Sequence, residues 1–403
     1  MKDSCLDGIR VLDMSRILAG PWAGQLLADL GAEVIKIERP GRGDDTRGWG
    51  PPFLPTGEAA YFHSCNRGKR SVAVDIGSAR GQALIRDLAA QSDVLLENFK
   101  AGGLARYGLD YDSLRAVNSG LIYCSITGFG QTGPYRERAG YDLLIQAMGG
   151  LMSVTGQPDE APGGGPLKVG VALTDVFTGM YASTAVLAAL RRRDRTGEGE
   201  HIDLSLLDVQ VATLANQAMN YLVSGNVPGR LGNSHPNIVP YQAFPAADGH
   251  LVLAVGNDDQ FRRFCDVVGL ETLAEHPDYA TNAQRVANRD ALIARIEERL
   301  RARDRAEWLE ALQAVGVPCG PINDVGEVFA DPQVQARGMQ REYPRPDGTS
   351  VPGVANPIHF QGTSVGEVDA APSLGQDTDT VLGGLLGLTS EDLRSLREDG
   401  AIG

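Results

Sequence analysis

Positive charge is scarce in this chain. Its 403 residues include 37 Lys and Arg against 51 Asp and Glu, which gives a formal net charge of −14. Proteins that bind nucleic acid or an anionic membrane need a clustered positive surface, so the composition argues against both partners. A small anionic ligand remains compatible with this sequence wherever arginines and lysines gather locally.

Cysteines are also few. The five of them are far apart and odd in number, with neither a CxxC pair nor a histidine at metal-ligand spacing. This pattern predicts a reduced protein without a metal site. The N-terminal sequence lacks a signal-peptide pattern, and no apolar run approaches the length of a membrane span. We therefore expect a cytoplasmic protein with no membrane partner.

The first half of the chain alternates short apolar strands with helices. Predicted strands lie at residues 9–13, 33–38, 71–75, 94–97 and 121–126. Predicted helices between them lie at residues 25–30, 79–91 and 111–118. Such alternation predicts an α/β fold with a Rossmann-like, doubly wound parallel sheet.

The turn after the first predicted strand lacks the G-x-G-x-x-G pattern of dinucleotide-binding proteins. It has only Gly20 and Gly24, with the bulky Trp22 between them. The backbone cradle for a pyrophosphate is therefore missing, although Glu38 stands where an acid that binds a ribose would be expected. NAD is not a predicted ligand, and we expect no permanently bound cofactor.

Basic residues follow the second and fourth predicted strands. Arg39 comes directly after the second, and Asn98, Phe99 and Lys100 come directly after the fourth. Since ligands of parallel sheets bind beyond the carboxyl ends of the strands, these side chains are expected to converge. A group of basic side chains beside one aromatic ring suits a ligand with phosphate groups and an adenine ring. Alternatively, they balance neighbouring acids such as Asp44 at the surface.

Residues 170–193, GVALTDVFTGMYASTAVLAALRRR, predict a loop that leads into one long buried helix. Thr174 and Asp175 are suited to its start, because their oxygens can accept the unpaired N–H groups of the first turn. The helix dipole is expected to favour the ionised form of Asp175. The residues alone leave two interpretations of Asp175 open, a helix cap and a nucleophilic carboxylate.

Eight segments of the chain form a recognisable series of motifs. The first five, in this order, are VLDMSRILAGPWAGQLLADLGAEVIKIERPGRGDDTR, NRGKRSVAVD, DVLLENFKAGGLARYGL, ITGFGQTGPYRERAGYD and GVALTDVFTGMYA. Three later segments, VPYQAF, VGVPCGPIND and SLGQDT, lie toward the C-terminus. Together these segments resemble the class III CoA-transferase family, also called the CaiB/BaiF family.

The resemblance implies an enzyme in which Asp175 is the catalytic aspartate. It would attack an acyl-CoA thioester to form an aspartyl anhydride, and CoA would then return to form an aspartyl-CoA thioester that a carboxylic acid resolves. The resemblance also implies a homodimer of two interlocked chains. The CoA site that it implies consists of Arg39, Lys69, Arg70, Asn98, Phe99, Arg106 and Tyr141.

Departures from other branches of the family narrow the substrate. Racemases of the family carry a histidine where this chain has Tyr141, and a phenol with a pKa near 10 is a weak base at neutral pH. Formyl-CoA:oxalate transferases carry a glutamine where this chain has Leu18. Residues 233–244, NSHPNIVPYQAF, are similar to succinyl-CoA:glutarate-type transferases, which implies succinyl-CoA as donor and a short dicarboxylic acid as acceptor.

Two alternatives remain at this point, a 2-methylacyl-CoA racemase of the same family and a non-catalytic acyl-CoA binder. For the second carboxylate of a dicarboxylic substrate, Arg16, Asn233 or His235 are hypothetical partners.

Composition changes divide the chain. We predict a large Rossmann-like domain at residues 1–223, which binds CoA and is catalytic, and a linker at residues 224–240. A small α+β domain is predicted at residues 241–325, followed by a return to the large domain at residues 326–403. Near the C-terminus, mixed charges predict a solvated helix.

Overall fold

The computed structural model describes residues 4–363 and 365–403 in two compact units. Unit 1 holds the chain up to Leu151, Val169–Ala218 and Pro332–Gly403, and unit 2 holds Met152–Lys168 and Met219–Asp331. The predicted boundaries place residues 152–168 in the large domain, whereas the structure groups them with unit 2. Hydrogen bonds from the Arg230 side chain to the Gln157 carbonyl and from the Gly232 N–H to the Gly156 carbonyl hold them there. Such distant contacts leave no mark on local composition.

A parallel six-stranded sheet forms the centre of unit 1. Its strand order is β3-β2-β1-β4-β5-β6, so the order reverses between β1 and β4. This order confirms the predicted Rossmann-like, doubly wound sheet, whose ligands bind beside such a reversal. The strands are β1 (Arg10–Asp13), β2 (Glu33–Glu38), β3 (Lys69–Ala73), β4 (Val94–Glu97), β5 (Ile122–Thr127) and β6 (Glu200–Ser205).

Helices cover both faces of this sheet. One apolar core joins alternate strand residues such as Leu12 and Leu95 to α3, and a second joins Val11 and Val94 to α1 and α7 (bounds below). The central strands β4 and β5 are buried on both faces and are mostly apolar, whereas the edge strand β6 is only partly buried and carries Glu200, His201 and Asp203. The first nine helices are α1 (Ala19–Asp29), α2 (Ala60–His63), α3 (Ala79–Ala90), α4 (Tyr111–Arg115), α5 (Asp142–Met148), α6 (Leu151–Val154), α7 (Leu173–Thr196), α8 (Leu206–Thr213) and α9 (Ala215–Ser224).

The long helix α7 packs against α1 at a close crossing. A Cβ added at Gly179 of α7 would lie 2.7 Å from the Ala19 carbonyl oxygen and 3.0 Å from Trp22, so glycine allows the two backbones to approach. At its far end, Gly197 adopts a φ of 74° and ends the helix. By length and composition alone α7 could cross a membrane, contrary to expectation, although core helices of globular proteins pass the same test. Only 44% of its apolar window is buried, so the prediction of a buried helix was wrong in part.

Unit 2 is a separate α+β body with its own core. Its antiparallel sheet has the strand order β7-β8-β9, and its core includes the buried side chains of Phe244, Phe261 and Trp308. Buried Arg285 donates to the Val239 and Tyr279 carbonyls and thereby fixes the segment that precedes β7. The elements are β7 (Tyr241–Pro245), β8 (His250–Ala254), α10 (Asp258–Val268), α11 (Glu271–Ala274), α12 (Asn282–Ala287), α13 (Arg289–Leu300), α14 (Arg305–Ala314), β9 (Cys319–Pro321) and α15 (Val325–Ala330).

The C-terminal region returns to unit 1 and packs into its core, so the prediction of a solvated helix there was wrong in part. Its last helix is amphipathic, and Leu393 and Leu396 are buried beside Val381 and Leu382. Mixed charges on the outer face concealed the apolar side. The elements are α16 (Pro332–Ala336), β10 (Gln340–Pro344), β11 (Ser350–Val354), α17 (Thr378–Leu386) and α18 (Ser390–Glu398).

Candidate active site

The loop after β1 is held at almost every residue. The side-chain amide of Asn98 accepts the Arg16 N–H at 2.9 Å and donates to the Arg16 carbonyl at 2.6 Å. Ile17 has a φ of 73°, an unfavourable value for a β-branched residue, and its N–H lies 3.3 Å from both carboxylate oxygens of Asp44. The loop is thus fixed in a strained conformation, a feature that concentrates at functional sites.

A buried charge cluster supports this loop. Lys36 contacts Asp44 at 2.9 Å and donates to the Ser15 carbonyl, and Lys69 contacts Asp13 at 2.8 Å. Burial acts to raise the pKa of Asp44, but the Lys36 ammonium and hydrogen bonds from Thr46 lower it below its usual range. The charges of this cluster therefore neutralise one another and serve the fold.

Asp175 lies in the first turn of α7, but neither it nor Thr174 caps that helix. The N-cap position is Ala172, which has no side-chain cap. The cap is instead supplied by Asp142 of α5, whose carboxylate accepts the Thr174 N–H at 2.9 Å and the Asp175 N–H at 3.3 Å. Gln146 donates to the other oxygen of Asp142 at 2.6 Å. The expectation of a self-capped helix is corrected, and the Asp175 carboxylate is left available.

The electrostatics of Asp175 also differ from the sequence-based expectation. Burial, and then the nearby negative charge of Asp142, raise the pKa of Asp175 from 3.8 to about 7. The helix dipole does not dominate, because desolvation penalises the charged form and a second carboxylate takes the N–H groups. Within the described residues, Asp175 forms no ion pair.

Two cavities lie near the carboxyl ends of the strands in unit 1, at the reversal of strand order. The Asp175 cavity, of about 550 Å³, is lined by Asp175, Tyr141 and Asn98 among others. The Arg39 cavity, of about 560 Å³, is lined by Arg39 and Tyr107 among others. Both have the size of a ligand site. Arg16, Asp45 and Phe99 line both cavities.

Most of the residues implied by resemblance gather at these cavities. Arg39 and Phe99 line the Arg39 cavity, and Asn98, Phe99 and Tyr141 line the Asp175 cavity. Arg106 lines neither cavity, but its guanidinium lies 4.5 Å from the ring centroid of Tyr107, which lines the Arg39 cavity. The amide of Asn98 is engaged with the backbone of Arg16, and its contact with CoA stays a prediction.

Lys69 and Arg70 are engaged with protein groups and line neither cavity. The Lys69 ammonium is enclosed by Asp13, the Pro21 carbonyl and Asn66. Arg70 contacts Glu33 and lies 3.8 Å from Asp377. Both residues lie at the amino end of β3, whereas the cavities lie near the carboxyl ends of the strands. Their contact with CoA stays a prediction.

Sequence reasoning missed Asp142 and Tyr61. Asp142 directly follows Tyr141, but its contact with α7, more than thirty residues away, has no sequence signal. Tyr61 is partly buried and packs edge-on against Trp49 at 5.5 Å. Burial, and then the charge of Asp175, raise the pKa of Tyr61 to about 12, so its hydroxyl stays a neutral donor near the site.

No histidine is among the described residues that line the Asp175 cavity, which gives no support to a two-base racemase pair there. In residues 4–363 and 365–403, no group of three or more His, Cys, Asp or Glu is arranged to hold a metal ion. Asp175 lines this cavity with a partly buried carboxylate that has no ion-pair partner among the described residues.

Comparison with known proteins decides the family. Residues 6–378 match the profile described as CoA-transferase family III. The chain belongs to CoA-transferase family III. It is an enzyme, a CoA-transferase, as the motifs of the sequence implied.

Family III relatives match almost the whole chain. The succinate–glutarate CoA-transferase of Agrobacterium fabrum is 53% identical over 94% of this chain and 94% of its own length. The human succinyl-CoA:glutarate CoA-transferase is 44% identical over 98% of this chain and 90% of its own. A CaiB/BaiF family protein from Brucella suis has a similar structure, with a TM-score of 0.84, 52% identity, and coverage of 95% of this chain and all of that one.

Proposed function

We propose that this family III CoA-transferase moves CoA from succinyl-CoA to glutarate or a similar short dicarboxylic acid. The observation that carries the proposal is the carboxylate of Asp175, which lines a ligand-sized cavity at the strand-order reversal and has no cationic partner among the described residues. The names of the relatives from Agrobacterium fabrum and human supply the substrate pair.

In the proposed reaction, Asp175 is the nucleophile. Its carboxylate attacks the thioester carbonyl of succinyl-CoA, the C–S bond breaks, and a succinyl-aspartyl anhydride and CoA thiolate form. The thiolate then attacks the aspartyl carbonyl, which releases succinate and leaves an aspartyl-CoA thioester. The acceptor carboxylate displaces CoA to give a second anhydride. Attack of the thiolate on its acceptor carbonyl yields the new acyl-CoA and regenerates Asp175.

The environment of Asp175 suits this chemistry. A carboxylate needs no general base to attack a thioester, and a fixed geometry can remove on the order of 7–11 kcal/mol from the barrier in favourable cases. Partial burial strips water from the carboxylate, which the raised pKa reports. Partial burial also limits hydrolysis of an anhydride.

Donors that would stabilise the oxyanion come from outside the first turn of α7. The N–H groups of Thr174 and Asp175 point to Asp142, and that of Val176 donates to the Ala172 carbonyl. The neutral hydroxyl of Tyr61 is one candidate donor, because its pKa already responds to the charge of Asp175.

For CoA, we propose that the nucleotide portion occupies the Arg39 cavity and that the thioester reaches the Asp175 cavity. Phe99 and Arg16 line both cavities, which supports a ligand that extends through the two. Arg39 supplies a cation and Phe99 a ring for stacking.

We also propose a homodimer in the cytoplasm. On α7, Met180 and Tyr181 are about half exposed, and Leu143, Leu144 and Met148 of α5 are exposed as well. An apolar surface of this kind indicates a protein partner. Light scattering coupled to size exclusion, with Met180→Glu as the variant that should weaken association, tests this part.

The experiment for the proposed function is a transfer assay with succinyl-CoA and a panel of short mono- and dicarboxylic acids, combined with intact-protein mass under denaturing, mildly acidic conditions. We expect glutaryl-CoA as product and an adduct of CoA or succinate on the wild type alone, not on Asp175→Asn. Binding of succinyl-CoA with neither adduct nor product would support the binder instead. Deuterium exchange into a 2-methylacyl-CoA would support the racemase.

A further inference from the structure

The Asp175 cavity has an arginine that the proposed chemistry has not used. Arg136 and Arg138 both line it. Arg136 is paired with Glu137 at 2.8 Å. Arg138 forms no ion pair within residues 4–363 and 365–403. A guanidinium is permanently charged and binds a carboxylate through a planar pair of N–H donors. Arg138 is therefore available to bind an anionic group of a ligand.

The guanidinium of Arg138 is nevertheless oriented. Its carbon lies 3.8 Å from the ring centroid of Tyr135, so it stacks on the aromatic face. Tyr135 in turn packs edge-on against Phe129 at 5.6 Å, and Phe129 packs against the core between the sheet, α1 and α7. A cation that stacks on a ring keeps the N–H groups at its edge free for a ligand.

The segment that carries Arg138 is fixed close to the nucleophile. Gly140 packs on Gly128 at the end of β5 so tightly that a Cβ on Gly140 would lie 2.3 Å from the Gly128 Cα. Two residues later, Asp142 accepts the Asp175 N–H. Four residues span at most about 14 Å, so the Cα of Arg138 lies within that distance of the Cα of Asp142, next to Asp175.

Charge defines what such a partner would bind. A monocarboxylic acid that reacts at Asp175 spends its only carboxylate in the anhydride, whereas a dicarboxylic acid keeps a second one. That second carboxylate is costly to desolvate unless a cation meets it. We infer that Arg138 binds the distal carboxylate of the acyl group that reacts at Asp175, and thus selects dicarboxylic substrates. This inference rests on the proposed function and names its specificity site.

Kinetics with substrates matched in length test the inference. Wild type, Arg138→Gln and the control Arg136→Gln are assayed with glutarate and with valerate, which has the same five carbons and one carboxylate. For Arg138→Gln we expect the KM for glutarate to rise roughly 10- to 100-fold, as for loss of a charge-assisted hydrogen bond pair. The valerate constant, measured as KM or as Ki against glutarate, should stay within about twofold, and Arg138→Lys should recover part of the affinity.

A second arm separates this inference from the proposed acceptor. Exchange of labelled succinate into succinyl-CoA needs no glutarate, and its KM for succinate should rise in Arg138→Gln by a similar factor. If the wild type exchanges succinate but does not use glutarate, glutarate is not the acceptor, and the KM for succinate still tests the role of Arg138. An equal loss for mono- and dicarboxylates, or no loss at all, would overturn the inference.

Discussion

Asp44 and Asp175 lie near the same edge of the sheet, but the charged neighbour of Asp44 is a cation and that of Asp175 is an anion. Asp44 contacts the Lys36 ammonium at 2.9 Å, and its pKa is lowered although burial opposes this. Asp175 has Asp142 as its charged neighbour, and its pKa is raised to about 7. The comparison shows how one protein uses the same residue type for two purposes. A paired carboxylate stabilises a loop, and an unpaired one remains able to react.

The contrast extends to hydrogen bonds. Asp44 accepts from Thr46, Lys36 and the N–H of Ile17, so its oxygens are occupied and the strained loop after β1 is held. At α7, the capping role is given to Asp142 instead, which spares the Asp175 carboxylate. One acid therefore supports the fold and the other remains able to react, so substitutions at the two sites should have different consequences.

Asp175→Asn should have the largest effect. We expect at least about a 10³-fold loss of transfer, because an amide cannot form the anhydride.

Asp175→Asn should also be more heat-stable than the wild type, and the difference should be larger at pH 8 than at pH 5. In the folded protein the pKa of Asp175 is about 7, above the ordinary 3.8. The stability that its proton contributes is therefore complete below pH 3.8 and is lost as pH rises through 7. Scanning calorimetry at both pH values measures this, and an equal Tm shift at both would contradict it.

Lys36→Met should have the largest effect on stability. It leaves Asp44 buried without its cation, and breaking such a pair costs about 3–5 kcal/mol. Urea denaturation measures the free energy of unfolding. The double variant Lys36→Met/Asp44→Asn is the control and should be less destabilised than the single one. A double variant as unstable as the sum of its parts would show that the pair is not coupled.

Gly140→Ala should disturb the site through its backbone. The new Cβ would lie 2.3 Å from the Gly128 Cα, so the segment that leads to Asp142 must shift. We expect a loss of about 1–3 kcal/mol in unfolding free energy and a reduced kcat. Gly170→Ala is the matched control, because an added Cβ meets nothing within 4 Å there. Equal effects of the two substitutions would refute the close contact.

Asp142→Asn should have the smallest effect, visible in the pH profile. Removing the negative charge beside Asp175 should lower its pKa, so the midpoint at which activity rises with pH should move from near 7 to a lower value. Burial, the larger cause, remains, and the shift should therefore be partial. A kcat/KM profile on either side of pH 7 measures it, with wild type as reference. A midpoint that moves upward would contradict the assigned cause.

Five of the sheet's six strands could be predicted because most of their residues are buried and apolar, whereas β6 at the sheet edge was missed because only one of its residues is buried. Glu33–Glu38 and Val94–Glu97 match the predicted strands residue for residue. The start of α1 was missed, because Gly20, Pro21 and Gly24 suggested a turn. In the structure these glycines serve packing: a Cβ at Gly20 would lie 2.3 Å from the Ser15 side chain. Proline is tolerated there because the first turn of a helix leaves its N–H groups unpaired.

The candidate site was predictable where a local pattern or a motif marks it. Asp175 was singled out at a helix start and Arg39 directly after a strand, the resemblance implied their roles, and the structure places both at cavities. Asp142, Tyr61 and the ion pairs of Lys69 could not be found, because each depends on contacts between distant segments. Pairing decides whether a charged residue is available to a ligand, and pairing is a property of the folded chain.

The role of Asp175 is tested most directly by finding which residue succinyl-CoA activates. Wild-type enzyme is incubated with succinyl-CoA, treated with hydroxylamine, which converts an activated aspartyl group to a hydroxamate, and digested for peptide mass spectrometry. We expect a hydroxamate at Asp175 and at neither Asp142 nor Asp44. A modified residue elsewhere, or full turnover without modification of Asp175, would contradict the claim that the unpaired aspartate is the nucleophile.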